Sequence, residues 1–498
     1  MCQRINFIED YRMIKKPSLF VALTPVIVLI VLLSFNVYVF SDNSSYGPNQ
    51  LALLFAAIVA AAIGVFHLKL NYSEIEGKAI DSIGMAMHAL LILLVVGSLI
   101  GVWILSGVVP TMIYYGIKMI NPTVFLPVSL IICSVVSLAT GSSWSTVGTV
   151  GIALIGIGQT LGIPEGMVAG AIVSGSYFGD KMSPLSDTTN LAPAMAGTDL
   201  FSHIRHMVYT SGPAVIISLI IFIVLGFFYN GDSISTSEVD AVLGVMNSSF
   251  NITPWLFTLP LIVFILVKEK VPALPALLAG TILGVVYAVI FQGELLETLT
   301  GGSNGFTKTY EVVLSTAFDG FKSETGNAVI DKLFSRGGMS SMLNTVWLIL
   351  MAMIFGGMLE VTGMLNRIAS AILTMVSGVT SLVASTVGTS IFLNITTSDQ
   401  YIAIVLTGRM FKGAYKEQNL HPKNLSRAVE DGATVTSVLV PWNTCGAYFS
   451  SVLGVATSTY LPFAFFNLLS PLISILLAAS NKTMEPLDKD KDKDKEKA

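Results

Sequence analysis

The chain has 498 residues, of which 53% are hydrophobic and only 12% charged, with a mean hydropathy of +0.75 and a net charge of −4. Soluble domains carry roughly 25% charged residues, so this composition excludes a soluble globular protein and places the chain in a bilayer. The weakly acidic balance, with no basic stripe, speaks against a nucleic-acid partner.

Residues 1–17 carry Arg4, Arg12, Lys15 and Lys16, which marks a cytoplasmic N-terminus. The first apolar run, about 18–40, is too long for a signal peptide and lacks a small-residue cleavage site, so it reads as a retained helix. Further runs at about 50–69, 84–109 and 122–139 follow, with a short amphipathic piece at Thr111–Asn121 between the last two. A polar, small-residue break, Thr140–Thr149, leads to runs at about 147–161 and 165–180. The second of these descends into GDKMSPLSDTTNLA, Gly179–Ala192, the most polar stretch inside the apolar region.

Runs at about 207–229, 252–267 and 273–292 come next, then a polar insert, Gly293–Gly338, expected outside or at the interface. The last runs lie at about 340–361, 370–393, 400–411, 428–456 (interrupted at Pro441) and 461–480. The tail DKDKDKDKEK has nothing to bury and reads as disordered. The sum is an all-α polytopic membrane protein of about 14 transmembrane segments.

The halves overlay at a nearly constant offset of 256–257 residues. Ser106-Gly107 falls on Thr362-Gly363, Thr140–Ser143 on Thr396–Asp399, Gly175 on Gly432 and Pro184 on Pro441. Loop charges run the copies in opposite senses, so the reading is two inverted repeats, each with broken or re-entrant helices. The organisation expected is 1–80, N-terminal helices; 81–206, repeat 1; 207–338, connecting helices and insert; 339–480, repeat 2 with the last helix; and 481–498, tail. Inverted repeats with paired midplane breaks are the build of alternating-access secondary transporters. A channel has no comparable need of them.

Pro184 and Pro441 break their helices because proline lacks an N–H and clashes with the preceding turn. The freed carbonyls and nearby hydroxyls suit a hard cation such as sodium when gathered around a carboxylate. An acid at a helix centre in the membrane costs about 2.5–3.5 kcal/mol, so it faces a polar interior. Asp187, between Ser186 and Thr188-Thr189-Asn190, fits best as the place where a transported sodium ion binds, with Ser183 alongside. Asp399, after Thr396-Thr397-Ser398, is its counterpart, and Asp180 and Glu360 are further ion or proton carriers. Ser142, Ser143, Asn394, Asn443 and Thr444 are the neutral ligands.

Competing readings stand beside these. The hydroxyls and amides can serve as interhelical hydrogen bonds, Asp180 can pair with Lys181, and Glu360 can sit at the cytoplasmic surface. Glu430 and Asp431, close to a Lys-rich loop, read as interface charges, and His67 and His88 as interface or packing residues.

Gly175–Met207 resembles the signature region of the NhaC-type sodium/proton antiporter family, and Asp431–Val455 resembles that family's second signature. The resemblance runs from about Ser18 to Ser480. It implies exchange of sodium for protons within a wider ion-transporter superfamily, and it puts Asp180, Ser183, Pro184, Asp187, Thr188, Thr189, Asn190, Asn443 and Thr444 in motif positions. The family also holds sodium-coupled organic-acid exchangers of the malate/lactate type, which is the alternative reading.

The expected protein is a non-enzymatic exchanger in a bacterial inner membrane, multi-pass, with both termini cytoplasmic. Cys2, Cys133 and Cys445 form no metal or disulfide pattern, and no HExxH, Walker A or dinucleotide motif occurs. The sequence therefore calls for no cofactor. Its partners are sodium ions and protons as cargo, the lipid bilayer, a small organic acid under the alternative reading, and a second copy if it dimerises.

Overall fold

A computed structural model describes residues 17–487, apart from 41–43, 45, 120, 229–235, 270, 303–304 and 375. The basic N-terminus and the charged tail lie outside the described residues. Among the described residues the regular structure is helical, with one isolated bridge between Leu420 and Pro486. Among the described residues eight helices are long and apolar enough to cross a membrane, and two bent pairs bring the number to ten.

The chain enters through α1 (Leu19–Phe40) and α2 (Pro48–Ala62), then the long α3 (Tyr72–Leu105) and the short α4 (Val108–Met119). Next come α5 (Pro122–Thr140), α6 (Ser143–Thr146), α7 (Ile152–Thr160), α8 (Glu165–Met182) and α9 (Asp187–Ala196). The connecting region is α10 (Leu200–Phe228), α11 (Thr236–Ser249), α12 (Thr258–Lys268) and α13 (Ala273–Phe291). Its insert folds as α14 (Gly293–Leu299), α15 (Phe306–Asp319) and α16 (Ala328–Phe334). Then come α17 (Leu343–Val361), α18 (Met364–Leu373), α19 (Val379–Thr397), α20 (Gln400–Glu417), α21 (Pro422–Val429) and α22 (Val435–Ser437). The chain closes with α23 (Thr444–Leu453), α24 (Thr457–Tyr460) and α25 (Phe465–Ser480).

Several expected spans therefore change shape. The run placed at about 370–393 splits, with α18 ending before the small polar stretch Ser377-Gly378 and α19 starting at Val379; Arg367 sits within α18 rather than in a loop. The run at about 84–109 starts at Tyr72, because Asn71 caps it by accepting from the Ser73 N–H at 3.4 Å. The short α6, α7, α9 and α21–α24 build the breaks, which is why fourteen apolar runs yield eight to ten full-length spans.

From α5 onward the backbone repeats at an offset of 257 residues, so the counterpart of Asp399 is Ser142 and not Ser143, as the offset of 256 places it. Helices α5 and α19 are each 19 residues long, and each ends on a left-handed residue, Gly141 (φ 69, ψ 24) and Ser398 (φ 59, ψ 18). The next residue is an extended cap in both copies, Ser142 (φ −149, ψ 114) and Asp399 (φ −144, ψ 132). After the prolines, Ser186 (φ −71, ψ 137) and Asn443 (φ −70, ψ 146) cap α9 and α23, ten residues each, which end on the positive-φ glycines Gly197 and Gly454. Ser137 donates to the Ser176 carbonyl at 2.6 Å, and its equivalent Asn394 donates to the Ala433 carbonyl at 2.6 Å.

Close packing holds each break in place. Helix α8 lies backbone to backbone on α5 at Gly179, where a Cβ would come within 2.6 Å of the Leu138 nitrogen; small residues allow such approach in membranes. The insert ends against α3, with the Gly338 N–H donating to the Gly97 carbonyl at 2.7 Å. Its own turn is organised by Asp331, which accepts from the N–H groups of Thr325 (2.7 Å) and Gly326 (3.1 Å) and from the Ser323 hydroxyl (2.9 Å). These bonds, the Thr325 N–H first, hold the Asp331 carboxyl below the usual range.

Candidate functional site

Each break must satisfy the carbonyls that its proline frees, since lipid cannot. Around Pro184, the Thr189 hydroxyl reaches back to the Asp180 and Lys181 carbonyls (3.3 and 3.0 Å), and Asn190 Nδ2 donates to the Pro184 and Ser186 carbonyls (2.9 and 2.7 Å). Around Pro441, the Tyr460 hydroxyl donates to the Val438 carbonyl (2.7 Å) and Trp442 Nε1 to the Ile395 carbonyl (2.8 Å). Asn443 Nδ2 ties the second break to Asn394, at its carbonyl (3.1 Å) and side-chain oxygen (3.3 Å).

Both breaks open on one cavity of about 650 Å³. Its wall takes Ser142, Asp180, Pro184, Ser186, Asp187 and Thr188 from the first repeat, and Asp399, Tyr401 and Thr444 from the second. Among the described residues, three of those lining the cavity are acids and none is Lys or Arg. Asp180 is 8% exposed and Asp399 4%, whereas Asp187 is exposed. Asp180 Oδ2 accepts from the N–H (3.1 Å) and the hydroxyl (2.6 Å) of Ser143. Asp399 Oδ1 accepts from the N–H groups of Tyr401 (2.9 Å) and Ile402 (3.0 Å), so it caps α20, while the Thr444 hydroxyl lies 3.4 Å from its Oδ2. A carboxylate at a helix N-terminus is favoured by the aligned peptide dipoles.

The other singled-out residues divide clearly. Thr396 and Thr397 donate to carbonyls one turn back (2.9 and 2.8 Å), and Ser183 accepts from the Leu185 N–H (3.3 Å), so these are backbone supports. The Ser398 hydroxyl is buried without a hydrogen-bond partner, and Ser398 does not line the cavity. Glu360 lies outside the cavity lining, in a half-exposed ion pair with Lys78 at 3.0 Å.

Three placements run against the sequence reading. His88 is on the cavity wall, carried there by α3 together with Met85 and Ile92. Asp180 does not pair with Lys181, whose side chain leaves α8 toward Asp431. Glu430 and Asp431 are not interface charges: both are fully buried, in a π-helical turn (Glu430–Thr434) between α21 and α22. Nearness to the Lys-rich loop hid them. The available signal was Lys181, a lone ammonium in an apolar helix that must find a buried anion.

A multi-pass helical protein with two broken-helix pairs around one acid-lined cavity has the build of a secondary transporter. The family model described as "Na+/H+ antiporter family" matches residues 175–482. The chain is 38% identical to the Na(+)/H(+) antiporter NhaC of Alkalihalophilus pseudofirmus, over 86% of this chain and 89% of that protein. It is also 38% identical to the Malate-2H(+)/Na(+)-lactate antiporter of Bacillus subtilis, over 87% of this chain and 90% of that protein, and 36% identical to the Na(+)/H(+) antiporter NhaC of Bacillus subtilis, over 86% and 92%. The chain belongs to the Na+/H+ antiporter family.

Proposed function

We propose that the chain exchanges sodium ions for protons across the cytoplasmic membrane by alternating access, with Asp180 and Asp399 as the shared ion and proton carriers. The observation that carries this reading is the pair of nearly buried carboxylates, one from each repeat, on a cavity wall that among the described residues holds three acids and no Lys or Arg. An ionised carboxylate sealed from water costs several kcal/mol unless it is paired. The site can therefore close over sodium or over protons, but not empty. That exclusion couples the two fluxes.

Ser142, Ser186, Thr188 and Thr444 supply neutral oxygens on the same wall, and Asp187, being exposed, draws cations toward it. The two repeats run in opposite senses through the membrane with both termini cytoplasmic, and one moves against the other.

The second reading, sodium-linked exchange of an organic acid, has one observation in its favour. The helices α9, α20 and α23 begin at the cavity, at Asp187, Gln400 and Thr444, and helix N-termini attract anions. The acids on the wall weigh against an anion. Reconstituted chain in sodium-loaded proteoliposomes, with and without malate or lactate, separates the two. Exchange that proceeds without the acid, and that is lost in Asp180→Asn and Asp399→Asn, supports the first reading. Wild-type rates in both variants overturn it.

A further inference from the structure

We propose that Glu430, Asp431 and Lys181 form a second, occluded proton site, distinct from the cavity and straddling the two repeats. Lys181 comes from the last turn of α8 in the first repeat, and its side chain is 0% exposed. It pairs with Asp431 of the second repeat, and Ser470 on α25 completes the contact, donating to Asp431 Oδ1 at 2.7 Å and accepting from Lys181 Nζ at 3.0 Å. None of the three residues lines the cavity.

Glu430 is the group this pair leaves over. It is 0% exposed, neither of its oxygens has a hydrogen-bond partner, and Asp431 Oδ2 has none either. The polar groups facing Glu430 are the Lys181 ammonium and the hydroxyls of Thr188 and Thr434, with Asp180 farther along α8. Arg427 on α21 lies within electrostatic reach of Asp431, and His203 on α10 within reach of Lys181. The facing helices α19, α22 and α25 contain no Asp, Glu, Lys, Arg or His, and Arg409, Lys412 and Lys416 of α20 are exposed. On α9 the one acid is Asp187, which faces the cavity.

Two carboxyls therefore compete in a dry environment for the Lys181 ammonium, the cation in contact with Asp431; Arg427, also buried, reaches Asp431 only electrostatically and makes no ion pair with it among the described residues. An ionised Glu430 beside the Lys181–Asp431 pair adds an uncompensated buried charge, which costs several kcal/mol. The three side chains together are neutral when they hold one proton, which the pairing of Lys181 with Asp431 assigns to Glu430. If Lys181 shifts to Glu430, the same proton moves to Asp431, so the charge count of the cluster is unchanged. Losing the proton leaves one net negative charge, and the proton passes to water that enters when the two repeats separate. Lys181 directly follows Asp180, and Thr189 fastens both carbonyls, so any movement of the cavity carboxylate carries Lys181 with it. Thr188 touches both places, lining the cavity and facing Glu430.

This inference rests on the exchange reading for its transport role, but its test does not. Full-length chain in lipid is measured by acid-minus-alkaline infrared difference spectroscopy, as wild type, Glu430→Gln, and the Asp180→Asn/Asp399→Asn double variant. A protonated-carboxyl band that Glu430→Gln diminishes, and that the cavity variant retains, supports the site. A Glu430→Gln spectrum that superimposes on wild type overturns it. Lys181→Met/Asp431→Asn removes both charges of the pair together; it shifts the pH at which the Glu430 band disappears, whereas an unchanged pH also overturns the site. In proteoliposomes, Glu430→Gln lowers proton-coupled exchange by roughly 10-fold and changes sodium half-saturation less than about threefold, and Glu430→Asp restores exchange with a displaced pH profile. A wild type without sodium-dependent exchange refutes the antiport reading and leaves the infrared result standing.

Discussion

The two breaks share a backbone and divide the chemistry. At equivalent cap positions the first repeat has Ser142 and the second Asp399; at equivalent ends of the descending helix the first has Asp180 and the second Ser437. The contact that crosses each break is kept with its polarity reversed: Ser143 donates to Asp180 at 2.6 Å, and Ser437 donates to Gln400 at 3.3 Å. The same holds deeper in the repeats. Lys181 corresponds to Val438, and Asp431 to Ser174. The duplicated frame places one carboxylate from each side on a single cavity, while the charges that differ between copies pair across the boundary.

The largest effect expected from making the copies alike is at that boundary. Lys181→Val, which gives the first repeat the residue of the second, leaves Asp431 buried and uncompensated and lowers stability by about 3–5 kcal/mol. Adding Asp431→Ser removes the orphaned charge and recovers most of the loss. Thermal unfolding of both variants in detergent checks this, and equal midpoints for the single and double variants would break the pairing.

Next comes the cavity. Asp180→Ser and Asp399→Ser each lower sodium-dependent proton exchange by about 100-fold, equivalent to roughly 2.7 kcal/mol. Moving the first carboxylate to its equivalent position, as Asp180→Ser/Ser437→Asp, does not restore exchange. Ser437 faces Tyr177 and Gln400 rather than the cavity. Restored exchange in everted vesicles would mean that the repeats are interchangeable, against the division drawn above.

Much of this frame can be read in the sequence. The 257-residue offset and the two prolines locate both breaks, and the polar stretch around Pro184 locates the cavity and its acids. Burial is harder to read, because it depends on which side of a helix faces a neighbour. Asp187, central to the polar stretch, sits in the first turn of α9 and stays exposed, whereas Asp180 turns inward on α8. Glu430 and Asp431 follow the partly buried Lys423 by seven and eight residues in sequence, yet the π-helical turn and the surrounding helices seal them. His88 reaches the cavity only through the path of α3, which no local pattern encodes.

The left-handed residues that end α5 and α19 give a third, smaller contrast. Gly141→Ala forces a side chain into φ +69, where its Cβ would lie 2.6 Å from the Leu185 Cβ, and costs about 1–2 kcal/mol before any clash is counted. Ser398 already carries a side chain at φ 59, so Ser398→Gly changes stability by less than about 1 kcal/mol and in the favourable direction for the folded backbone. Equal losses in the two variants, by thermal unfolding, would show that the equivalent residues are not under equivalent strain.

The most local difference is at the caps of α9 and α23. Ser186 accepts from the Thr189 N–H at 3.4 Å, and Asn443 accepts from the Cys445 N–H at 3.0 Å, so replacing either by Ala removes a cap worth about 1 kcal/mol. Asn443 does more, because its amide also donates to Asn394, and Asn394 in turn donates to the Ala433 carbonyl and the Thr436 hydroxyl. Asn443→Ala thus leaves a buried acceptor short of a donor, which adds about 1–3 kcal/mol, while Ser186→Ala adds no such term. Amide hydrogen exchange reports the two helices separately. Faster exchange in α23 of Asn443→Ala, spreading to residues 430–437, with a change in Ser186→Ala confined to α9, is the expected outcome. Equal, local effects in both would reduce Asn443 to a cap like its partner.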